Sequence, residues 1–104
     1  QIEVYSPVYS GRPDWLVAAV RERGAGFSRQ IWWIRKDGSA FEAITDDYRY
    51  SHASISWDSD FSRLLFQRVR IDVSEGVPEI LLWDADEGDF ELIAQNASSP
   101  HWLP

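Results

Sequence analysis

The apolar residues of this chain fall in short runs that are typical of β-strands. No stretch of about eleven residues or more combines the 3.6-residue period of an amphipathic helix with capping residues at its ends. The apolar runs are rich in β-branched and aromatic residues, and clusters of turn-forming residues separate them. We therefore predict eight strands, at residues 4–9, 15–22, 29–35, 41–45, 53–57, 63–73, 79–85 and 89–94.

The eight predicted strands form two similar groups of four. Residues 1–55 placed on residues 50–104 without a gap give ten identities, where chance would give about three or four. The apolar runs coincide in this alignment as well. A repeat of this length predicts two copies of one supersecondary unit, each of which needs a neighbour to cover its apolar faces.

Several predicted strands are apolar on both faces. Leu64 and Phe66 face one way, while Leu65 and Val69 face the other. A lone two-sheet sandwich covers one face of each sheet, whereas sheets stacked in a row cover both. The pattern therefore predicts an all-β fold of two four-stranded antiparallel β-propeller blades. The first blade is expected at residues 4–49 and the second at residues 50–98, and residues 99–104 align with the first strand of a third blade.

Short motifs near the strand ends narrow this fold class. In chain order they are Asp37-Gly38, Ile44-Thr45, Trp57-Asp58-Ser59-Asp60, Arg63-Leu64-Leu65-Phe66 and Ser99-Pro100-His101-Trp102. In this order and spacing they resemble the repeat of TolB-like β-propellers, the WD40-like group of six-bladed bacterial propellers. The resemblance covers nearly the whole chain and both repeat units.

The resemblance implies a non-enzymatic scaffold that binds a protein partner through loops on one end face of a propeller. It also implies a bacterial protein of the periplasm or the extracellular space. Two blades cannot close a ring, so we expect either further blades in a longer chain or self-association of several copies. Two alternatives stay open. Similar blades form the gating part of prolyl-oligopeptidase-type serine peptidases, and carbohydrate is another ligand class for such a propeller.

Composition and charge exclude several other classes of function. The 104 residues carry a formal net charge of −7, which argues against nucleic acid as a partner because nucleic acid selects for clustered Lys and Arg. There is no cysteine, so a disulfide framework and a thiolate metal site are both excluded. No apolar run approaches the roughly 20 residues of a membrane-spanning helix. We expect neither a cofactor nor a metal.

The segment that joins the two predicted blades is the strongest candidate for partner binding. It contains Asp46, Asp47, Tyr48, Arg49 and Tyr50, and as a connection between blades it is expected on an end face. Tyrosine and arginine are enriched among the residues that anchor protein interfaces. The alternative, which the sequence leaves open, is that Tyr48 and Tyr50 pack on the adjacent blade.

Two histidines complete the candidate set. His52 and His101 occupy the same place in both repeat units under the ungapped alignment. Two histidines without a further ligand do not make a tetrahedral metal site. We expect each ring to hydrogen-bond a neighbouring loop, and we include both residues in the candidate partner-binding set.

Calcium binding and catalysis find little support in the sequence. The acidic run at residues 84–89 has its glycine at the fifth place, and Gln95 stands where a calcium loop needs a bidentate glutamate, so we predict a hairpin. There is no Gly-x-Ser-x-Gly motif, and we predict no catalytic residues. Trp32, Trp33 and Trp83 lie within strands and are predicted to fill the contact between blades.

Overall fold

The described part of the protein consists of two antiparallel β-sheets. The computed structural model describes residues 2–24 and 26–95. The first sheet contains β1 (Ile2–Tyr9), β2 (Trp15–Glu22), β3 (Gln30–Arg35) and β4 (Phe41–Ala43), and the second contains β5 (Tyr50–Trp57), β6 (Arg63–Arg70), β7 (Glu79–Asp84) and β8 (Phe90–Gln95), each in sequence order. We call them the first and second blade. The predicted fold of two four-stranded antiparallel blades is confirmed, whereas the strand predicted at residues 99–104 lies outside the described residues.

Short hairpins join the strands of each blade. The β1–β2, β3–β4, β5–β6 and β7–β8 connections have five residues each. Gly38 and Gly88 adopt φ angles of +78° and +75°, a left-handed conformation that glycine reaches without strain. The connection at Asp37-Gly38 is wider than the two-residue hairpin turn that an Asp-Gly pair commonly forms. Asp37 Oδ1 accepts a hydrogen bond from Ser39 N at 2.9 Å, so an Asx-type turn shapes it.

The fourth strand of the first blade is shorter than predicted. β4 has three residues instead of five, because Thr45 leaves the ladder. Thr45 Oγ1 accepts a hydrogen bond from Ile31 N at 2.8 Å. The N–H groups of Ile44 and Thr45 both donate to Ile31 O, at 2.8 and 3.1 Å. A side chain thus takes over from strand pairing where the chain starts toward the second blade.

The structure corrects the ungapped repeat alignment. The offset from β1 and β2 to β5 and β6 is 48 residues, whereas from β3 and β4 to β7 and β8 it is 49 residues. The extra residue lies in the β6–β7 connection, which has eight residues where β2–β3 has seven. A single offset of 49 therefore misplaces the first half of each unit by one position. In a strand, a shift of one position moves a side chain to the opposite face.

A backbone irregularity confirms the 48-residue offset. The pairing register shifts between Tyr5 and Val8 in β1, and again between Ala53 and Ser56 in β5. Ser6 and Ser54 lie within these bulges with φ angles of +48° and +55°. The innermost strand of each blade therefore has the same bend at the same place.

The two blades stack face to face through an apolar core. Its members are Val17 and Ile31 from the first blade and Ile55, Leu64, Phe66, Leu81 and Trp83 from the second, with Trp33 packed against them. Strand β5 lies against β1, β2 and β3, and the blades diverge from there toward β4 and β8. Aromatic rings fill the widening gap: the Trp33 centroid lies 5.7 Å from that of Trp57 and 6.4 Å from that of Trp83. The predicted contact role is confirmed for Trp33 and Trp83, whereas Trp32 lies on the opposite face of the first blade.

Each blade also has an outer face, turned away from the other blade. Opposite residues of paired strands share a face, which places Leu16, Trp32 and Ile34 on the outer face of the first blade and Leu65, Ile80 and Leu82 on that of the second. Under the corrected offsets, the first set is equivalent to the core residues Leu64, Leu81 and Trp83 of the second blade. The second set is equivalent to Val17, Ile31 and Trp33 of the first. The two outer faces therefore repeat the two halves of the core.

Candidate partner-binding site

The connection between the blades lies on one end of the structure. Residues 44–49, which we call the crossover, leave β4 and enter β5 beside the β2–β3 and β6–β7 connections. Two backbone hydrogen bonds of 2.8 Å hold this end together: His52 N in β5 donates to Arg29 O of the β2–β3 connection, and Ile71 N of the β6–β7 connection donates to Arg49 O of the crossover. The predicted candidates at residues 46–49 therefore lie on an end face, together with two neighbouring loops.

Gln30, at the start of β3, holds the crossover in place. Its Nε2 donates to Asp47 O at 2.8 Å, and its Oε1 accepts hydrogen bonds from Asp47 N at 3.1 Å and from Thr45 Oγ1 at 2.6 Å. Both Gln30 and Thr45 are buried. Buried polar groups left unpaired cost about 1–3 kcal/mol each, so the set of contacts stabilises this one backbone path. The Gln30 side chain thus bonds both the N–H and the C=O of Asp47, as a neighbouring strand would.

Ser28 extends this network into β5. Its Oγ accepts a hydrogen bond from Gln30 Nε2 at 2.7 Å and donates to Tyr50 O at 2.7 Å. Neither Ser28 nor Gln30 was among the predicted site residues. No sequence motif marks them. The one feature that could have indicated Gln30 is that the third strand of each blade begins with a polar residue, Gln30 in the first and Glu79 in the second.

Asp47 and Arg49 form a two-pronged ion pair on the crossover. Arg49 Nε and Nη2 donate to Asp47 Oδ1 and Oδ2 at 2.9 and 2.8 Å. The hydrogen bonds from Arg49 lower the pKa of Asp47 to about 2, so this carboxylate is charged at neutral pH. Asp46 is exposed and forms no ion pair with any residue in the described ranges.

The two tyrosines of the crossover region have different surroundings. Tyr48 Oη donates to Glu22 Oε1 of the first blade, and this hydrogen bond raises the pKa of Tyr48 to about 12. Its side chain remains 40% exposed. Tyr50 lies under Arg68, whose guanidinium carbon is 3.9 Å from the ring centroid. The exposed residues on this face are therefore Asp46, Tyr48 and Arg49. Tyr50 lies beneath them and packs against Arg68.

His52 lies beneath the crossover. The residue is 2% exposed, its Nδ1 is 2.8 Å from Arg29 O, and its ring centroid is 5.7 Å from that of Phe66. The predicted hydrogen bond to a neighbouring loop is confirmed for His52. A carbonyl oxygen accepts only, so Nδ1 carries the proton and Nε2 is an acceptor. Burial lowers the pKa of His52 to about 4, which leaves the ring neutral at pH 7. His101 lies outside the described residues.

The acidic run at residues 84–89 forms the β7–β8 hairpin. Asp84 Oδ1 accepts backbone hydrogen bonds from Asp86 and Glu87 at 2.9 and 3.1 Å, as a turn residue does. Within residues 2–24 and 26–95, no group of three or more His, Cys, Asp or Glu side chains is placed to hold a metal ion. The same ranges contain no helix of the length and hydropathy needed to cross a membrane.

These observations first define a class of fold. Two four-stranded antiparallel meanders stack face to face, diverge from their innermost strands outward, and are joined by a crossover on one end face. This is the arrangement of neighbouring blades in a β-propeller.

A solved structure supports a more specific likeness. It is provisionally described as TolB from Agrobacterium tumefaciens and matches with a TM-score of 0.71 and 26% sequence identity. The match covers 88% of this chain and 33% of that one, so this chain spans about a third of the length of that protein. No family model matches the sequence, and no curated protein matches it. The TolB-like fold is therefore confirmed, whereas membership of the repeat family stays a prediction.

Proposed function

We propose that this chain is a non-catalytic part of a TolB-like propeller and binds a protein partner on the end face that carries the crossover. The observation that supports this function is the exposed group of Asp46, Tyr48 and Arg49 on a fixed backbone. The Gln30 network orders that backbone in advance, so binding does not incur the ordering cost of a mobile loop. The proposed location is the bacterial periplasm or the extracellular space, as the likeness to TolB implies.

Site-specific photo-crosslinking tests the proposed function. In one variant p-benzoylphenylalanine replaces Tyr48, and in the control it replaces Phe61, which is similarly exposed in the β5–β6 hairpin at the opposite end. In cells that express the chain with its natural flanking sequence, we expect a discrete cross-linked protein from position 48 and none from position 61. Adding Arg49→Glu should remove that product. Equal products at both positions, or none at position 48, would contradict the proposal.

We also propose that the chain associates with copies of itself wherever no other blade covers its outer faces. The outer faces repeat the two halves of the core, so the second blade of one copy can stack on the first blade of the next with the existing contact geometry. The residues that would meet are Leu65, Ile80 and Leu82 on one side and Leu16, Trp32 and Ile34 on the other. Association would remove the exposed parts of these side chains from water, except for Ile80, which is already buried.

Two charge substitutions test self-association by complementation. Ile34→Arg and Leu82→Arg each place a charge on one outer face, and we expect each variant to sediment as a monomer at micromolar concentration. An equimolar mixture should form a dimer, because the intact outer face of the second blade in Ile34→Arg can pack on the intact outer face of the first blade in Leu82→Arg. Asp60→Arg, in the β5–β6 hairpin, is the control and should leave the assembly of the unmodified chain intact. A folded monomer of the unmodified chain at micromolar concentration would contradict the proposal.

A further inference from the structure

An open pocket lies beneath the crossover, where the blades diverge. Its volume is about 250 Å³, and Ile44, Phe66, Leu81 and Phe90 supply the apolar part of its wall. Phe90 is 47% exposed, so this part of the wall is open to solvent. The Phe66 and Phe90 rings meet edge to face, with centroids 6.1 Å apart. We call this cavity the seam pocket.

Two polar groups at the seam pocket are free hydrogen-bond acceptors. His52 Nε2 carries a lone pair and makes no hydrogen bond within the described ranges, since the ring proton is on the nitrogen that faces Arg29 O. The Asp46 carboxylate at the rim has no cationic partner among the described residues. The remaining charged side chains have partners. Asp47 pairs with Arg49 at 2.8 Å. Arg68 donates from Nε to Glu79 at 2.9 Å, and its guanidinium stacks on the Tyr50 ring. An occupant with donors and positive charge complements this arrangement.

We propose that the seam pocket binds one aromatic side chain with an N–H or O–H donor, tryptophan or tyrosine, on a partner peptide that carries Lys or Arg beside it. The ring packs against Phe66 and Phe90, where offset or edge-to-face contacts are favourable. Its donor reaches His52 Nε2, and the basic neighbour pairs with Asp46.

Volume and position support a single side chain as the occupant. The pocket is smaller than the roughly 300–1,000 Å³ of sites for drug-sized ligands, which favours one residue over a cofactor. Buried aromatic anchors also dominate the energy of protein interfaces. This inference rests on the proposed partner binding and specifies the chemistry of the partner at the same end face.

Two peptides of equal length and opposite charge test the inference. The probes are acetyl-Lys-Trp-Lys-amide and acetyl-Glu-Trp-Glu-amide, titrated into the isotope-labelled chain at pH 7 and followed by NMR. We expect the basic peptide to shift the signals of Thr45, His52 and Leu81 with a Kd of about 1 mM or tighter. The acidic peptide should bind at least about tenfold more weakly. Equal affinity for the two peptides, or no shift of these signals at about 10 mM peptide, overturns the proposal.

Matched variants locate the binding. Phe90→Ala should weaken the basic peptide about tenfold, because it removes an aromatic wall. Phe41→Ala is the control, since Phe41 is the repeat-equivalent residue and is 48% exposed, against 47% for Phe90. Asp46→Asn should weaken binding about threefold, whereas Asp60→Asn, at the opposite end, should leave it unchanged. A larger loss from either control than from its pocket counterpart overturns the proposal.

The outcomes separate the pocket from the proposed function. If the peptides do not bind the seam pocket while the crosslink at position 48 persists, the pocket inference fails and end-face binding stands. If the crosslink is absent while the basic peptide binds as expected, the pocket inference stands and the proposed partner contact at Tyr48 is wrong. Asp46 is exposed, so Asp46→Asn should not disturb folding. This variant therefore still tests the pocket inference if Phe90→Ala does not fold.

Discussion

The first and second blades share one strand plan and differ in the chemistry they display. Residues 1–49 hold seven basic and seven acidic residues, whereas residues 50–104 hold three basic and ten acidic residues. The net charge of −7 therefore belongs to the second half of the chain. The sheets nevertheless have the same strand order and the same bulge. The comparison shows that this fold depends on the spacing of apolar and turn residues and tolerates wide variation in charge.

The crossover chemistry is not repeated in the second blade. Glu79, Val77 and Ala94 stand where the first blade has Gln30, Ser28 and Thr45, so two of the three hydroxyl and amide side chains are replaced by apolar ones. Glu79 instead accepts hydrogen bonds from Arg68 at 2.9 Å and from Gln95 at 3.2 Å. Burial acts to raise the pKa of Glu79, but these bonds leave it below the ordinary value. The strand plan is common to both units, whereas the side chains of the Gln30 network are found in the first unit and not at the equivalent positions of the second.

The largest expected difference concerns a core residue and its equivalent on the outer face. Trp83 is 8% exposed, and Trp83→Ala should lower the free energy of unfolding by about 3–5 kcal/mol, as for other buried large aromatics. Ile34→Ala, on the outer face of the first blade, should cost about 1–2 kcal/mol when the chain is dilute. Urea unfolding measures both values. If copies cover the outer face, the cost of Ile34→Ala rises with protein concentration. A loss under about 1 kcal/mol for Trp83→Ala would mean that the core is misplaced.

The next comparison concerns the two polar residues that begin the third strands. Gln30→Ala leaves the proton of the buried Thr45 hydroxyl and the Asp47 N–H without their acceptor, and we expect the free energy of unfolding to fall by about 2–3 kcal/mol. Glu79→Ala removes a partly buried ion pair and should cost about 1 kcal/mol or less. Amide hydrogen exchange provides a second measurement, because the Asp47 N–H should lose protection in Gln30→Ala. Equal losses for the two variants would show that the crossover network is not special to the first blade.

The smallest expected effect is a pH dependence confined to the second blade. The pKa of His52 is about 4 in the folded chain and about 6.5 in the unfolded chain. Between these two pKa values the unfolded state binds more protons than the folded state. The contribution of neutral His52 to stability is therefore fully present above pH 6.5 and is lost as the pH falls toward 4. We expect about 2 kcal/mol less stability at pH 5 than at pH 7.

His52→Gln supplies the control for that pH dependence. The equivalent residue in the first blade is Val4, which does not titrate, so the variant should be nearly insensitive to pH over this range. The carboxylate of Asp47, with its pKa lowered to about 2, affects stability only below about pH 4 and does not interfere. An unchanged pH dependence in His52→Gln would assign the effect to another group.

Much of the fold could be predicted from the sequence, because its signals are local. Alternation of apolar residues and the turn residues between them gave the eight strands to within a few positions. The face assignments were less secure, because an insertion of one residue in the β6–β7 connection is invisible when identities are counted at a fixed offset. The bulges at Ser6 and Ser54 resolve the offset, and their positive φ angles leave no mark on a serine in the sequence.

The candidate site was predicted in its exposed part and missed in its supports. The crossover was placed on an end face by the logic of a repeat, and Tyr48 and Arg49 are indeed exposed there. The contacts of Gln30 with Thr45 and Asp47 span 15 and 17 positions, and no local pattern encodes hydrogen bonds of that kind. The seam pocket depends on the divergence of two sheets, which is a property of packing and not of either strand pattern alone.

The contact between the blades has a direction. The inner face of the first blade, which carries Trp33, packs against the inner face of the second blade, which carries Trp83. These two faces differ, so the contact is between unlike surfaces. A two-fold axis would bring identical surfaces together, so this contact cannot generate a symmetric pair. Each added unit must instead turn by the same angle as the last, and the series then either returns to its start or continues as a filament. The angle between neighbouring blades, which the packing of Trp33, Trp57 and Trp83 sets, would decide how many units complete the ring, more than the strength of any single contact.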